Sequence, residues 1–437
     1  MEVRVRPGRR LRGEARVPGD KSIAHRALIL AALAEGESLV EGFDPLDDCL
    51  HTLQALRACG VSIEVPGPRT LRIAGRGPSG LCAPADVLDC GLSGTTMRLL
   101  AGVLAGQELT ATLDGSEPLR RRPMGRVVEP LARMGARIQS AEGGHAPLTI
   151  RGGGLRGIDY ALPVASAQVK SAILLAGLNA EGETAVREPA SSRDHTERML
   201  RWLGVPVEGG DGGIRVRGGN RWPGARFTLP GDISAASFLL VAANLLPGSE
   251  LRLPAVGLNP TRSAVLDVLR TMGADIAVIP ARSAEREGEA AGPEPTRDLL
   301  ARAAGLRGTS IGGALIPNLI DELPVLAVAA TQAEGLTEVR DAAELRVKES
   351  DRIAALQQEL SVMGARIEAL PDGLLIEGPT RLRGAHVDAH GDHRMAMALA
   401  VAALVAEGET VIHGAETVDK SFPGFFAALR LLGARLS

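Results

Sequence analysis

Apolar and polar positions along this chain follow a long period as well as a short one. A helical run ending in Leu-x-x-x-Gly-Ala/Val-x-Ile/Val occurs six times, the last copy closing in Leu, with its glycines at Gly60, Gly135, Gly204, Gly273, Gly364 and Gly433. Each copy reads as a helix C-terminus, a glycine cap and a strand. A second pattern, an Ala-rich helix, a turn and a β-branched strand, also occurs six times. It centres on Ala34-Glu35-Gly36, Leu104-Ala105-Gly106, Ala180-Glu181-Gly182, Leu246-Pro247-Gly248, Ala333-Glu334-Gly335 and Ala406-Glu407-Gly408. Further strands follow the first pattern, as at Leu71-Arg72-Ile73 and Leu374-Leu375-Ile376. The chain is therefore predicted to be six α/β repeats of about seventy residues, each helix, strand, helix, strand, strand.

The glycine spacings are 75, 69, 69, 91 and 69. The long one coincides with 281–300, rich in Glu, Ala, Gly and Pro and weakly periodic, which reads as an inserted loop. The repeats group as three plus three. Val17-Pro18-Gly19-Asp20-Lys21-Ser22 has a counterpart 212 residues later in Leu229-Pro230-Gly231-Asp232-Ile233-Ser234. These two Pro-Gly elements are the expected crossings between two domains, 20–230 and 1–19 with 231–437. The strand Val3-Arg4-Val5 then belongs with the C-terminal half.

Polar residues collect where these apolar helices begin. They include Lys21, Ser22 and Arg26; Ser93-Gly94-Thr95; Arg120-Arg121-Arg122-Pro123; Ser166-Ala167-Gln168-Val169-Lys170; and Ser192-Arg193-Asp194-His195. In the second half they are Asp321-Glu322, Arg346 to Arg352, Asp392-His393-Arg394 and Asp419-Lys420. Free N–H groups and the helix dipole favour anions at such positions. One such stretch is ordinary capping plus surface charge. Nine sharing one architectural position predict two domains whose helix starts line a positive cleft for a polyanion. Arginines and lysines there suit phosphate and carboxylate, and Asp321 and Glu349 suit proton transfer. His393 lies in a polar segment and could join such a site. His25, on a helix face, reads as structural.

Composition narrows the function. The 437 residues carry a formal net charge of −3 and only 2% aromatics, which argues against a nucleic-acid partner. No apolar run has the length of a membrane span, and no secretory signal is visible, so a cytoplasmic location is expected. Cys49, Cys59, Cys82 and Cys90 have no CxxC spacing and read as reduced thiols. No metal-ligand cluster, nucleophilic triad spacing or GxGxxG fingerprint stands out. Of 49 basic residues only four are lysines, Lys21, Lys170, Lys348 and Lys420, all in the helix-start segments. Arg and Lys are not interchangeable where a compact ammonium is needed.

Assembled, these segments resemble the EPSP synthase family of enolpyruvyl transferases over nearly the whole chain. The resemblance rests on Gly19-Asp20-Lys21-Ser22 with Arg26, Ser93-Gly94-Thr95, Arg122-Pro123, Ser166-Ala167-Gln168, Asp321-Glu322, Arg346-Val347-Lys348-Glu349-Ser350-Asp351-Arg352 and Asp392-His393-Arg394-Met395-Ala396-Met397. It implies two similar domains, each of three βαβαββ units. It implies transfer of the enolpyruvyl group of phosphoenolpyruvate to the 5-hydroxyl of shikimate 3-phosphate with loss of phosphate, with no metal or organic cofactor, by a monomer. Carried over by motif, Lys21, Ser22, Arg26, Ser166, Gln168, Arg193, Asp321 and Lys348 hold shikimate 3-phosphate. Lys21, Gly94, Arg122, Gln168, Arg352, Arg394 and Lys420 hold phosphoenolpyruvate. Asp321 takes the proton of the attacking hydroxyl, and Glu349 and Lys21 share delivery of a proton to the methylene carbon. Three positions depart from the usual pattern: Leu92 stands for Asn, Ala167 for a Ser of some members, and Arg193 for a Tyr of some members. The resemblance also implies sensitivity to glyphosate, since Gly94 leaves room that an Ala would fill.

Two other readings stay open at this point. The related transferase acting on UDP-N-acetylglucosamine carries a Cys in the loop that here reads Pro118 to Pro123, and no cysteine of this chain is near. A non-catalytic, anion-binding repeat scaffold would not need Asp321 and Glu349 together.

Overall fold

The structure, a computed structural model, describes residues 1–210, 213–280 and 292–437. It divides into two compact units: Gly19–Leu229 with 292–294, and Met1–Pro18 with 230–280 and Pro295–Ser437. We call them the inner-sequence unit and the terminal unit.

Each unit is built on three four-stranded sheets. In the inner-sequence unit, the sheet of Leu88–Asp89, Thr110–Asp114, His145–Arg151 and Arg137–Ala141 shows the plan, in that spatial order. Its edge strand pairs in parallel with the next, and the rest is antiparallel. A parallel pair cannot be joined by a tight turn and needs a crossover, here the helix Gly94–Ala105. A second helix, Gly125–Arg133, precedes the closing hairpin. This is one βαβαββ repeat, and the plan recurs six times.

Beyond the polar residues near their starts, the crossover helices are apolar on nearly every side and buried. Lys21–Ala32, Gly94–Ala105 and Ala167–Gly177 form the centre of one core, and Ile233–Leu245, Leu323–Gln332 and His393–Val405 the centre of the other. A helix without a polar face has no stable place at a surface. At Gly102 the approach is so close that a Cβ would lie 2.1 Å from the Ala172 carbonyl oxygen. Asp20, Ser93, Ser166, Asp232, Asp351 and Asp392 cap helices with their side chains. Each such cap is worth about 1 kcal/mol. Among the described residues no single helix is long and apolar enough to cross a membrane.

One expectation is corrected. The inserted loop assigned to 281–300 falls partly outside the described residues, at 281–291. Its end is no loop: Thr296–Arg302 is a strand, paired on one side with Glu250–Gly257 and on the other with Asp275–Ile279. Asp298, Leu299 and Ala301 are buried there. The Gly-Pro-Glu-Pro run before Thr296 masked an alternation too short to register by itself.

Candidate active site

In the inner-sequence unit, side-chain bonds tie helix starts together. Lys21, first residue of its helix, places Nζ 2.8 Å from Asp48 at the start of the Asp47–Ala58 helix. Ser22 follows it, partly exposed. Arg26, one turn on, is buried. It donates from Nε to Thr196 Oγ1 at 2.7 Å, from Nη2 to Ser171 Oγ at 2.7 Å, and from Nη1 to the Ser22 carbonyl at 2.9 Å. Three helices, Lys21–Ala32, Ala167–Gly177 and His195–Trp202, thereby meet on one guanidinium. Ser166 caps the second of them, and Arg193 lies two residues before the third.

Gly94, Arg122 and Gln168 also meet. Gln168 accepts from Arg98 Nη1 at 2.5 Å and donates to Thr95 Oγ1 at 2.9 Å. A Cβ built on Gly94 would lie 3.0 Å from both Arg122 Nη1 and Arg98 Nη1. Arg98 was not singled out by the sequence reading. Its signal was position: it follows Gly94 by four, so it shares a helix face with the glycine.

Lys170 has another task. It is 1% exposed and pairs with Glu188 at 2.7 Å and Glu197 at 2.8 Å. Glu188 also accepts from the Ser192 hydroxyl. Burial lifts the Glu197 carboxyl above the usual range, and Lys170 pulls it back. The scarcity of lysine marked this residue correctly as special, but its ammonium neutralises two carboxylates of its own unit rather than a ligand. His25 is likewise interior: Nδ1 lies 2.7 Å from Thr52 Oγ1, and burial lowers its pKa to about 3.

In the terminal unit the centre is Arg352, first residue of its helix and 1% exposed. Its guanidinium reaches Asp392 at 2.7 Å, Glu349 at 2.8 Å and Asp321 at 3.4 Å. Burial works against its charge, but these three carboxylates hold its pKa above the usual arginine range. They divide by exposure. Asp392 is fully buried, whereas Asp321 and Glu349 are 23% and 27% exposed, so only the latter two can reach a substrate. Asp392 also accepts the Arg394 N–H at 2.8 Å, capping the His393–Val405 helix.

Arg394 completes the group. It is 3% exposed, with its Nη2 4.0 Å from Asp321 and its guanidinium 5.9 Å from the Phe238 ring centroid. Its Nε and Nη1 find no hydrogen-bond partner among the described residues. Buried donors are rarely left so, and a bound anion would satisfy them. Lys348 contacts Glu344 at 3.3 Å; burial pulls its ammonium below the usual lysine range, against the opposing pull of Glu344 and Asp321. Lys420 donates to the Gly391 carbonyl at 2.9 Å. His393 is buried, with Nδ1 3.8 Å from Asp392. Among the described residues no group of three or more His, Cys, Asp or Glu could hold a metal ion.

The sequence-derived residues thus fall into two sets. Lys21, Ser22, Arg26, Gly94, Arg122, Ser166, Gln168 and Arg193 lie in the inner-sequence unit. Asp321, Lys348, Glu349, Arg352, Arg394 and Lys420 lie in the terminal unit. Within the terminal unit, Asp321 and Glu349 share one cation, the pairing that a passive anion-binding scaffold would not require.

Comparison with known proteins agrees with this architecture. The profile of the family described as EPSP synthase (3-phosphoshikimate 1-carboxyvinyltransferase) matches residues 5–429. The 3-phosphoshikimate 1-carboxyvinyltransferase of Pelotomaculum thermopropionicum is 55% identical over 427 residues, 97% of each chain. The protein of that name from Gloeobacter violaceus is 56% identical over 428 residues, again 97% of each. The solved EPSP synthase of Acinetobacter baumannii superposes with a TM-score of 0.88 at 44% identity, covering 100% of this chain and 99% of that one. With near-complete coverage at such identity, and with the six-repeat plan shared, this chain belongs to the EPSP synthase family.

Proposed function

We propose that the chain transfers the enolpyruvyl group of phosphoenolpyruvate to the 5-hydroxyl of shikimate 3-phosphate and releases phosphate. The observation that carries the site assignment is the Arg352 centre, where two reachable carboxylates sit beside the unsatisfied donors of Arg394.

The chemistry follows from the charges. Protonation of the methylene carbon, by Glu349 with Lys21 sharing the transfers, makes the adjacent carbon electrophilic. Asp321 takes the proton of the attacking hydroxyl as the new C–O bond forms. Loss of a proton from the new methyl group then expels phosphate and restores the double bond. Carboxylates stabilise the positive charge that develops at carbon, and fixed guanidinium groups stabilise the leaving phosphate. Arg122, Arg352, Arg394 and Lys420, with the backbone at Gly94 and the Gln168 amide, hold phosphoenolpyruvate; Arg98 steadies Gln168. Lys21, Ser22, Arg26, Ser166, Gln168, Arg193, Asp321 and Lys348 hold shikimate 3-phosphate. Each ligand set names residues of both units. The enzyme acts as a cytoplasmic monomer without metal or organic cofactor.

The test is phosphate release by purified protein. Release only with both substrates, and its loss in Asp321→Asn, is the expected result. Release with UDP-N-acetylglucosamine in place of shikimate 3-phosphate would move the chain to the sister activity. Binding without release would favour the scaffold.

A further inference from the structure

We propose that Glu322 is a positioning residue that sets the orientation of Asp321, anchored through the Ser234 hydroxyl and Arg262. The inference rests on Asp321 being the base.

Asp321 and Glu322 are adjacent yet occupy opposite environments: Asp321 is 23% exposed, and Glu322 is completely buried. A carboxylate with no exposure cannot touch substrate. What it does touch is a chain of polar groups inside the terminal unit. The Ser234 hydroxyl donates to Glu322 Oε1. The same hydroxyl accepts from Arg262 Nη2 at 3.0 Å, and that nitrogen also donates to Asp232 Oδ1 at 2.9 Å. Asp232 in turn caps the Ile233–Leu245 helix, accepting the Ser234 N–H at 2.8 Å. One hydroxyl therefore uses its single proton toward Glu322 and a lone pair toward Arg262, as its bonding capacity allows.

The backbone of Glu322 is fixed as well. Its N–H bonds the Leu319 carbonyl at 2.8 Å, and its own carbonyl accepts from Val325 at 3.1 Å and Leu326 at 3.0 Å. With main chain and side chain both held, the preceding Cα has little freedom. Asp321 is left to choose its side-chain torsion against Arg352 at 3.4 Å and Arg394 at 4.0 Å.

The anchor has a counterpart in the other half of the chain. Asp232 and Ser234 correspond, at the 212-residue offset, to Asp20 and Ser22, with Ile233 replacing Lys21 and Phe238 replacing Arg26. This copy lacks the two cations, and its cap and hydroxyl serve the loop that carries the base.

The test compares Ser234→Ala, Glu322→Gln and Asp321→Asn with the parent, scoring kcat and both KM values per folded molecule, with thermal melting alongside. Ser234→Ala and Glu322→Gln are expected to lower kcat by roughly tenfold to a hundredfold, the scale on which small misplacements act. Both KM values should stay within about twofold, the pattern of an interaction realised in the transition state. A lowered melting temperature with parental kcat would show a merely structural role and overturn the proposal, as would raised KM values with kcat intact. If Glu322→Gln does not fold, Ser234→Ala decides, because it deletes one hydroxyl and leaves every charge in place. Retained kcat in Asp321→Asn would strike the base assignment itself, and this inference with it, whereas retained kcat in Ser234→Ala alone strikes only the anchor.

Discussion

Replacing Lys170 by methionine removes a buried charge while nearly filling its space. Lys170 and Glu197 are each 1% exposed and Glu188 7%, and among the described residues Lys170 is the one cation against Glu197. Removing one partner of a buried pair costs about 3–5 kcal/mol, because the other charge is stranded. Two carboxylates are stranded here, although Glu188 keeps its bond from Ser192. We therefore expect the upper part of that range, about 4–5 kcal/mol near pH 8. For a unit of this size that is a fall in Tm of roughly 10–20 °C. The sign of the pH effect is fixed by Glu197. Burial already raises its folded-state pKa, and loss of Lys170 raises it further. A carboxyl whose folded pKa lies above its unfolded value contributes stability below the unfolded pKa that is lost as pH rises through the folded one. The variant should be most damaged near pH 8 and recover near pH 5, at up to about 1.4 kcal/mol per pH unit for each proton taken up on folding. Urea unfolding followed by circular dichroism at both pH values measures this. A loss under about 1 kcal/mol, or one equal at the two pH values, would refute the reasoning.

Other expectations are as direct. In Gly94→Ala the new Cβ lies 3.0 Å from two guanidinium ends, which must give by a few tenths of an ångström; KM for phosphoenolpyruvate should rise up to about tenfold, worth 1.4 kcal/mol, and a parental KM in steady-state kinetics would count against it. Millimolar glyphosate should suppress turnover of the parent and less so of Gly94→Ala; a parent indifferent to it would point first to Leu92. Asp392→Asn removes the buried charge opposite Arg352 while keeping an oxygen to cap the helix. It should cost about 3 kcal/mol of stability and weaken phosphoenolpyruvate binding, both absent if Asp321 and Glu349 alone hold the guanidinium.

Much of the plan was readable from local signals. Glycine caps and apolar helix periods are short-range features, and six copies made them unmistakable. Polar residues at helix starts were legible for the same reason, since capping and dipole preferences act within one turn. The Thr296–Arg302 strand was lost because its pairing partners are distant and a Pro-Gly run adjoins it. The anchors escaped on similar grounds. Nothing near Lys170 in sequence announces Glu188 and Glu197, 18 and 27 positions away, and nothing beside Ser234 announces Glu322, 88 positions away. That Glu322, beside Asp321, is fully buried was also invisible, because exposure is a property of packing.

The way the sheets are closed bears on how the chain is made. In the inner-sequence unit, Arg226–Thr228 pairs with Glu35–Glu41, so every strand of that unit is available once residue 228 has been synthesised. The terminal unit cannot be finished so early. Glu2–Arg6 lies between Thr410–His413 and Arg435–Leu436, with Val3 opposite Ile412. Domains fold as units during synthesis, and pairings this far apart in sequence form slowly. The strands of the inner-sequence unit are therefore to hand early, whereas Glu2–Arg6 must await partners from the far end of the terminal unit, so that unit is expected to be the later to complete.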